Sequence, residues 1–259
     1  MKRFVPKRAS NNRVLINLGC GQRMHPEWNN VDFSVHARLR HFPTVAKLLH
    51  RSAIISDERF SAICNIDSNI IVWDLRKGIP FDDKTFDVVY HSHLLEHIDR
   101  EESLSFLTEC YCVLKLGGVI RVVVPDLERL AKNYISSLQE LDLSGPDLSR
   151  RHWHELTTEN LFEQMVRKEP AMRKYQRPIV RFLERRILGY ARQTGEVHRW
   201  MYDRYSLRFL LEKSGFRSIQ QVDAFTSQIT DWEQFGLDVN TDGSEYKLGS
   251  LYFEAKRPL

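Results

Sequence analysis

The chain has 259 residues, of which 42% are hydrophobic and 28% charged, and its formal net charge is +4. That length buries a large core without disulfide or metal staples, and one decorated domain is its natural reading. The charge excess is too mild to imply nucleic acid by itself, and no run approaches the roughly 18 apolar residues of a membrane helix.

Met1 to Ser10 is basic but has no apolar run, so it does not read as a secretory signal. Val14 to Leu18 is a short apolar run ending in Gly19-Cys20-Gly21, the pattern of a buried strand followed by a tight turn. Asn30 to Phe33 reads as a second strand containing an acid, Asp32. Phe42 to His50 predicts a helix started by Thr44 after Pro43, and Ser52 to Asn69 gives no clear pattern. Ile70 to Trp73 predicts a third strand ending at Asp74, and Phe86 to Tyr90 a fourth ending at a His-rich turn. Ser103 to Leu114 has helical periodicity that Gly117-Gly118 should stop. Val119 to Val124 is a fifth strand closed by Pro125, with Arg121 as its one polar break, and Leu127 to Leu141 is helical.

Ser144-Gly145-Pro146 breaks this pattern, and Leu148 to Arg192 then reads as a helical, basic insertion. Ser206 to Lys213 is a helix stopped by Gly215, and Ser218 to Ala224 and Ser250 to Ala255 suggest an antiparallel strand pair at the sheet edge. Strands alternating with helices predict an α/β fold with a doubly wound, mostly parallel seven-stranded sheet. The whole chain, 1–259, then forms a single domain: a core at 11–141, a helical insertion or lid at 142–199, and a C-terminal helix with edge strands at 200–259. In such a sheet ligands sit at the carboxyl ends of the strands, so the glycine turn, Asp32, Asp74 and His91 should converge on one crevice.

Cys20, Cys64, Cys110 and Cys112 form no C-x-x-C pair. That spacing argues against structural zinc or a disulfide framework and points to a reducing cytoplasm.

The stretches VLINLGCGQ, NVDFS, WDLRKGIPFDDKTFDVVYHSHLLEHI and ECYCVLKLGGVIRVVVPDLERL come in the order of the class I methyltransferase motifs. The chain resembles that family most closely in its type 11 branch, and its tail resembles a bacterial subgroup often linked to glycan or cell-surface gene neighbourhoods. The resemblance implies a Rossmann-like methyltransferase fold, S-adenosylmethionine as cofactor and S-adenosylhomocysteine as product. By the same resemblance Gly19, Cys20 and Gly21 would line the methionine part, Asp32 and Phe33 would lie at the ribose, Asp74 and Leu75 would border the adenine, and His91 and Ser92 would sit beside the sulfonium. Asn17 stands where the family usually has an acid facing the cofactor's amino group, so that contact would lack an ion pair. Gly21 to Asp32 is short, so the first helix must be abbreviated or replaced by a loop containing Pro26.

An oxygen acceptor benefits from a base, and His93 and His97 are the candidate catalytic residues. If a helix begins at Leu94, they are four apart on one face. The plain alternative is that Glu96-His97 is local structure. His93-x-x-Glu96-His97 also matches the inverted zinc-protease signature, but that signature needs a long helix, and here it follows a strand. Some similar methyltransferases hold a divalent ion with a Glu-x-x-Glu-His cluster. His93 stands where the first Glu would be, so no metal is expected. His152 to Glu155 and His198 to Trp200 flank the basic insertion, and they suit either a substrate-facing lid or a solvated face with Trp anchors.

These readings converge on methyl transfer to the oxygen of a small polar or glycan acceptor. The alternatives are an RNA methyltransferase, with nucleic acid disfavoured by the mild charge, and an inactive methyltransferase-like binding protein.

Overall fold

Short runs of branched apolar residues make the strands of this protein, and polar turns with side-chain caps separate them. The computed structural model describes residues 3–144, 147–165 and 197–259. The strands are β1 (Leu15–Leu18), β2 (Asn29–Asp32), β3 (Ile71–Val72), β4 (Phe86–Ser92), β5 (Leu114–Pro125), β6 (Arg217–Val222) and β7 (Ser250–Lys256). They form one seven-stranded sheet in the order β3-β2-β1-β4-β5-β7-β6. Neighbours from β3 to β5 pair in parallel, and β7 runs antiparallel to both β5 and β6. The seven-stranded α/β sheet expected from the sequence is therefore present, with the late antiparallel pairing at its edge.

Alternation along each strand divides the core. Ile16, Leu18, Val89, Ile120 and Val122 lie in one cluster with Phe106, Leu107, Leu207 and Leu211. The last four belong to α4 (Arg100–Val113) and α7 (Arg204–Lys213). Leu15, Val88, Tyr90, Val123 and Tyr252 lie in a second cluster with Trp28, Trp232 and Phe235, which loops and a 3-10 turn supply.

Several boundaries differ from the sequence reading. No helix intervenes between β1 and β2, as the short spacing requires. Helix α1 (Val35–Arg40) follows β2 directly, because the Ser34 hydroxyl accepts from the Ala37 N–H and caps it. Helix α2 (Pro43–Arg51) starts at Pro43 rather than Thr44, since a proline at the first helical position forfeits no helical hydrogen bond. The unread stretch Ser52 to Asn69 contains α3 (Asp57–Asn65), capped by Ser56. Helix α4 ends at Val113, so the glycine pair is not its stop. Gly117 and Gly118 lie inside β5, where Gly117 N–H donates to Arg257 O at 2.9 Å and extends the pairing with the chain's end. Helices α5 (Leu127–Ser144) and α6 (Leu148–Gln164) pack on each other. The basic run Arg173 to Arg192, and with it most of the expected lid, lies outside the described residues. No helix among the described residues is long and apolar enough to cross a membrane.

Candidate active site

At the carboxyl ends of β1, β2 and β4 the chain leaves a crevice of about 580 Å3. Gly19, Asp32, Phe33, Asp74, Leu75, His93 and His97 all line it. Parallel strands deliver these residues to one rim because each strand ends in the same direction, the placement expected for ligands in open α/β sheets.

Gly19 has φ +66°, and a Cβ there would stand 2.8 Å from Leu94 Cδ1. Only glycine lets this turn close against the wall formed by Leu94. Asp32 is buried at the end of β2. Its Oδ2 accepts from Gly21 N–H at 2.8 Å and its Oδ1 from Ser34 N–H at 2.5 Å. Each oxygen keeps a lone pair for a further donor. The glycine turn and this acid are thus one hydrogen-bonded unit. Asp74 caps a 3-10 turn and holds Arg76 through both oxygens, at 2.9 and 2.8 Å. Burial opposes its ionisation, but the Arg76 hydrogen bonds outweigh burial and hold the carboxyl below its usual range.

Other expected site residues sit outside the crevice lining. Asn17 is buried in β1, and its carboxamide donates to Arg23 O at 2.8 Å, which ties down the loop after the glycine turn. Cys20 is buried against Ala37, Ile66 and Ile70. Gly21 touches the site only through its N–H on Asp32. Ser92, the last residue of β4, is likewise not on the lining. His91, expected at the crevice surface, lies under its floor. Strand alternation turns its ring toward Phe106, at 5.4 Å between centroids, and neither ring nitrogen has a hydrogen-bond partner among the described residues. Burial pushes its pKa down to about 4 against the opposing pull of Glu96.

His93 and His97 do meet, although not through a helix face. His93 has φ +50°, and Leu95–His97 is a single 3-10 turn. Both rings face Glu96, which is fully buried: His93 Nδ1 is 3.1 Å and His97 Nε2 4.0 Å from Glu96 Oε1. Burial alone would raise the Glu96 carboxyl, but the hydrogen-bonding and charge of His93, with the further charges of His97 and His198, pull it down to about 2. Burial lowers the His97 pKa, again against Glu96.

Sequence spacing did not anticipate His198 in this group. Arg199 and Trp200 N–H both donate to Glu96 O, at 2.7 and 3.2 Å, and hold the segment after 196 against the turn. Arg199 thereby lines the crevice, and it pairs with Asp99 at 2.6 Å. His154, in contrast, binds Ser137 Oγ at 2.9 Å and fastens α6 to α5. The linkage of residues 96 and 198 leaves no local pattern, because it is made by backbone donors about a hundred residues away.

Residues 17–122, which run from β1 into β5 and carry the glycine turn, Asp32, Asp74 and the histidine turn, match the family model described as "Methyltransferase domain". This part of the chain, less than half of it, is similar to a methyltransferase domain. Among solved structures, the chain is similar to a possible exported protein from Bordetella parapertussis, at 11% identity and TM-score 0.41, covering 98% of this chain and 63% of that one. It therefore spans less than two thirds of that protein's length. It is also similar to an S-adenosylmethionine-dependent methyltransferase from Archaeoglobus fulgidus, at 15% identity and TM-score 0.38, covering 96% of this chain and 86% of that one. A third is the YcgJ protein from Bacillus subtilis, at 10% identity and TM-score 0.43, covering 100% of this chain and 94% of that one. No curated protein matches the chain. The residues present fit the cofactor: the cavity is of the size small-molecule sites have, a Cβ at Gly19 would fill the turn beside it, and Asp32 offers free lone pairs to a hydroxyl-bearing ligand.

Proposed function

We propose that the chain is an S-adenosylmethionine-dependent methyltransferase that methylates a hydroxyl oxygen of a small polar or glycan acceptor, in the cytoplasm. The observation that carries this reading is continuity: Asp32 at one end and the His93–His97 corner at the other line a single cavity. The cofactor supplies a methyl group on a positively charged sulfur. Asp32 accepts from the ribose hydroxyls, with Phe33 beside it. Gly19 to Gly21 bring backbone against the methionine part, and Asn17 holds their loop in place. Asp74 and Leu75 border the adenine. His91 and Ser92 support the floor near the reacting sulfur from below.

His93 and His97 stand where an acceptor hydroxyl would lose its proton, and a neutral imidazole nitrogen can accept it. Positioning that oxygen in line with the methyl group accounts for much of the rate. The helical insertion of 142–199 enters this reading through its described end, where Arg199 lines the cavity. The resemblance of the tail supports a glycan acceptor, and four unpaired thiols support a reducing compartment.

Calorimetric titration with S-adenosylhomocysteine tests the cofactor site. Wild type binds, and Asp32→Ala weakens binding roughly 10- to 100-fold, because hydrogen bonds to a charged group contribute about 1.5–3 kcal/mol. Equal affinity in the two proteins removes the ribose assignment, and no binding in wild type overturns the reading. Mass spectrometry of products from hydroxyl-bearing and amine-bearing acceptors tests the chemistry, and a methylamine as the sole product would overturn oxygen transfer.

A further inference from the structure

Helices α1, α2 and α3 fill the connection between β2 and β3 and pack on one another. Around them lies a small core of their own, in which Ala46, Ile55 and Ile63 are buried and Leu39, Leu49 and Phe60 partly so. Helix α2 gives that core Ala46 and Leu49, yet its outer side is apolar as well. Phe42, Val45 and Leu48 follow one another at intervals of three along α2 and its N-cap, and they are 60%, 44% and 68% exposed. Residues three apart are neighbours on a helix surface, so these side chains form one stripe facing solvent. An apolar stripe on a helix whose other side is already packed marks a surface for an outside partner.

Charge says which partner fits. Residues 33–56 hold four Lys or Arg and no Asp or Glu. Arg38, Lys47 and Arg51 are all exposed. Arg51 continues the three-residue spacing after Leu48, and the Arg38 guanidinium lies 5.4 Å over the Phe33 ring. The next acids along the chain, Asp57 and Glu58, open α3, and His50 meets Asp57 at 2.6 Å. A second copy of this chain would bring the same cations face to face. Three apolar side chains also fall short of the roughly 800 Å2 that each partner gives a stable interface. A nucleic acid would use the cations but not the aliphatic Val45 and Leu48, which offer no ring for a base to stack on. A bilayer surface with anionic headgroups uses both. Apolar side chains enter the acyl boundary, while Lys and Arg stems run along it and keep their charges among the headgroups.

We propose that the outer face of α2, with Arg38 of α1 beside it, docks this chain on a membrane surface that carries anionic lipid. Helix α2 lies in the plane of the interface, with Phe42, Val45 and Leu48 directed into it and Lys47 and Arg51 along its margin. Phe33 and Ser34, which lead directly into α1, line the crevice, so the helices that carry this face grow from the crevice rim. Docking of this kind needs neither cofactor nor acceptor, and it stands apart from the methyltransferase reading.

Flotation of the full chain with vesicles of phosphatidylcholine alone, and of phosphatidylcholine mixed with phosphatidylglycerol, tests this. Wild type should bind the mixed vesicles roughly tenfold or more tightly than the neutral ones, and rising salt should weaken that binding. Val45→Gln with Leu48→Gln, and separately Lys47→Gln with Arg51→Gln, should each weaken it by roughly tenfold or more, since buried apolar area and basic charge both contribute. Gln is a good helix former and all four positions are exposed, so circular dichroism and Tm should stay as in wild type. Should one pair unfold the chain, Leu48→Gln and Arg51→Gln decide singly. Tyr205→Ser with Phe209→Ser, an exposed pair on α7, should bind as wild type does. No vesicle binding by wild type overturns the proposal, and so does equal binding to both kinds of vesicle. Wild-type binding in both α2 variants, or an equal loss in the α7 variant, would place the contact elsewhere on the chain and overturn it too. Loss in the Lys47 and Arg51 variant alone would reduce the contact to adsorption of a polyanion. Binding of polyuridylate with that same dependence would then make nucleic acid the partner instead.

Discussion

His91 and His93 stand two residues apart at the end of β4 in very different surroundings. His93 faces the crevice, whereas His91 is buried without a hydrogen-bond partner among the described residues, and burial pushes its pKa from 6.5 to about 4. In the fold His91 therefore stays neutral down to about pH 4, while in the unfolded chain it charges below about 6.5. Unfolding takes up a proton between those values, so stability falls as pH drops from 6.5 to 4. The full contribution is about 3 kcal/mol. Denaturant unfolding at pH 7 and 4.5 should show a smaller acid loss in His91→Leu than in wild type. Identical pH dependence in the two would mean that His91 already charges inside the fold. From sequence alone, His91 looked like a crevice residue because it follows an apolar strand. Which face of the strand its ring takes depends on where the strand register ends, and the neighbouring strands set that register.

At the scale of elements, β5 shows how one polar residue in an apolar run is accommodated. Arg121 is fully buried, and its guanidinium binds Asp238 and Glu254 at 2.7 Å each. It also donates to the Asp223 and Thr226 carbonyls and lies over the Trp232 ring. This network fastens the long segment between β6 and β7 onto the sheet. Arg121→Met leaves two buried acids without their cation and should cost about 3–5 kcal/mol in denaturant unfolding. Combining it with Asp238→Asn and Glu254→Gln should recover much of that loss, and a single-variant loss below about 1 kcal/mol would contradict the role given to the network. The strands were legible because continuous apolar runs between turn residues mark covered strands. Helices α1 and α3 were less legible. Each is under ten residues and largely polar, so its periodicity is weak, although Ser34 and Ser56 supplied caps. At Leu95–His97 the sequence left a helix start open, since spacing cannot distinguish a 3-10 turn from a first α turn.

Across the whole molecule, parallel strands bring residues from four separate stretches to one rim. A ligand held there binds only the folded chain, so it should stabilise the fold by mass action. S-adenosylhomocysteine at a hundred times its dissociation constant should add about 2.7 kcal/mol. For a domain of this size that raises Tm by about 5–10 °C. Thermal unfolding with and without the ligand checks this, and Asp32→Ala should show a smaller shift at the same ligand concentration. An unchanged wild-type Tm would mean that the crevice does not hold the ligand.

The sequence by itself determined the sheet and the convergence of Gly19, Asp32 and Asp74 on one crevice. Those depend on local signals: apolar runs, a glycine that must adopt positive φ, and acids at strand ends. Only the tertiary structure decided that His91 is buried, that Asn17 secures a loop, and that His198 joins Glu96 and His97. Each of these depends on which distant backbone groups and strand neighbours a side chain meets. Such contacts across many residues leave no periodicity in the chain, so they become visible only once the sheet has brought the strands together.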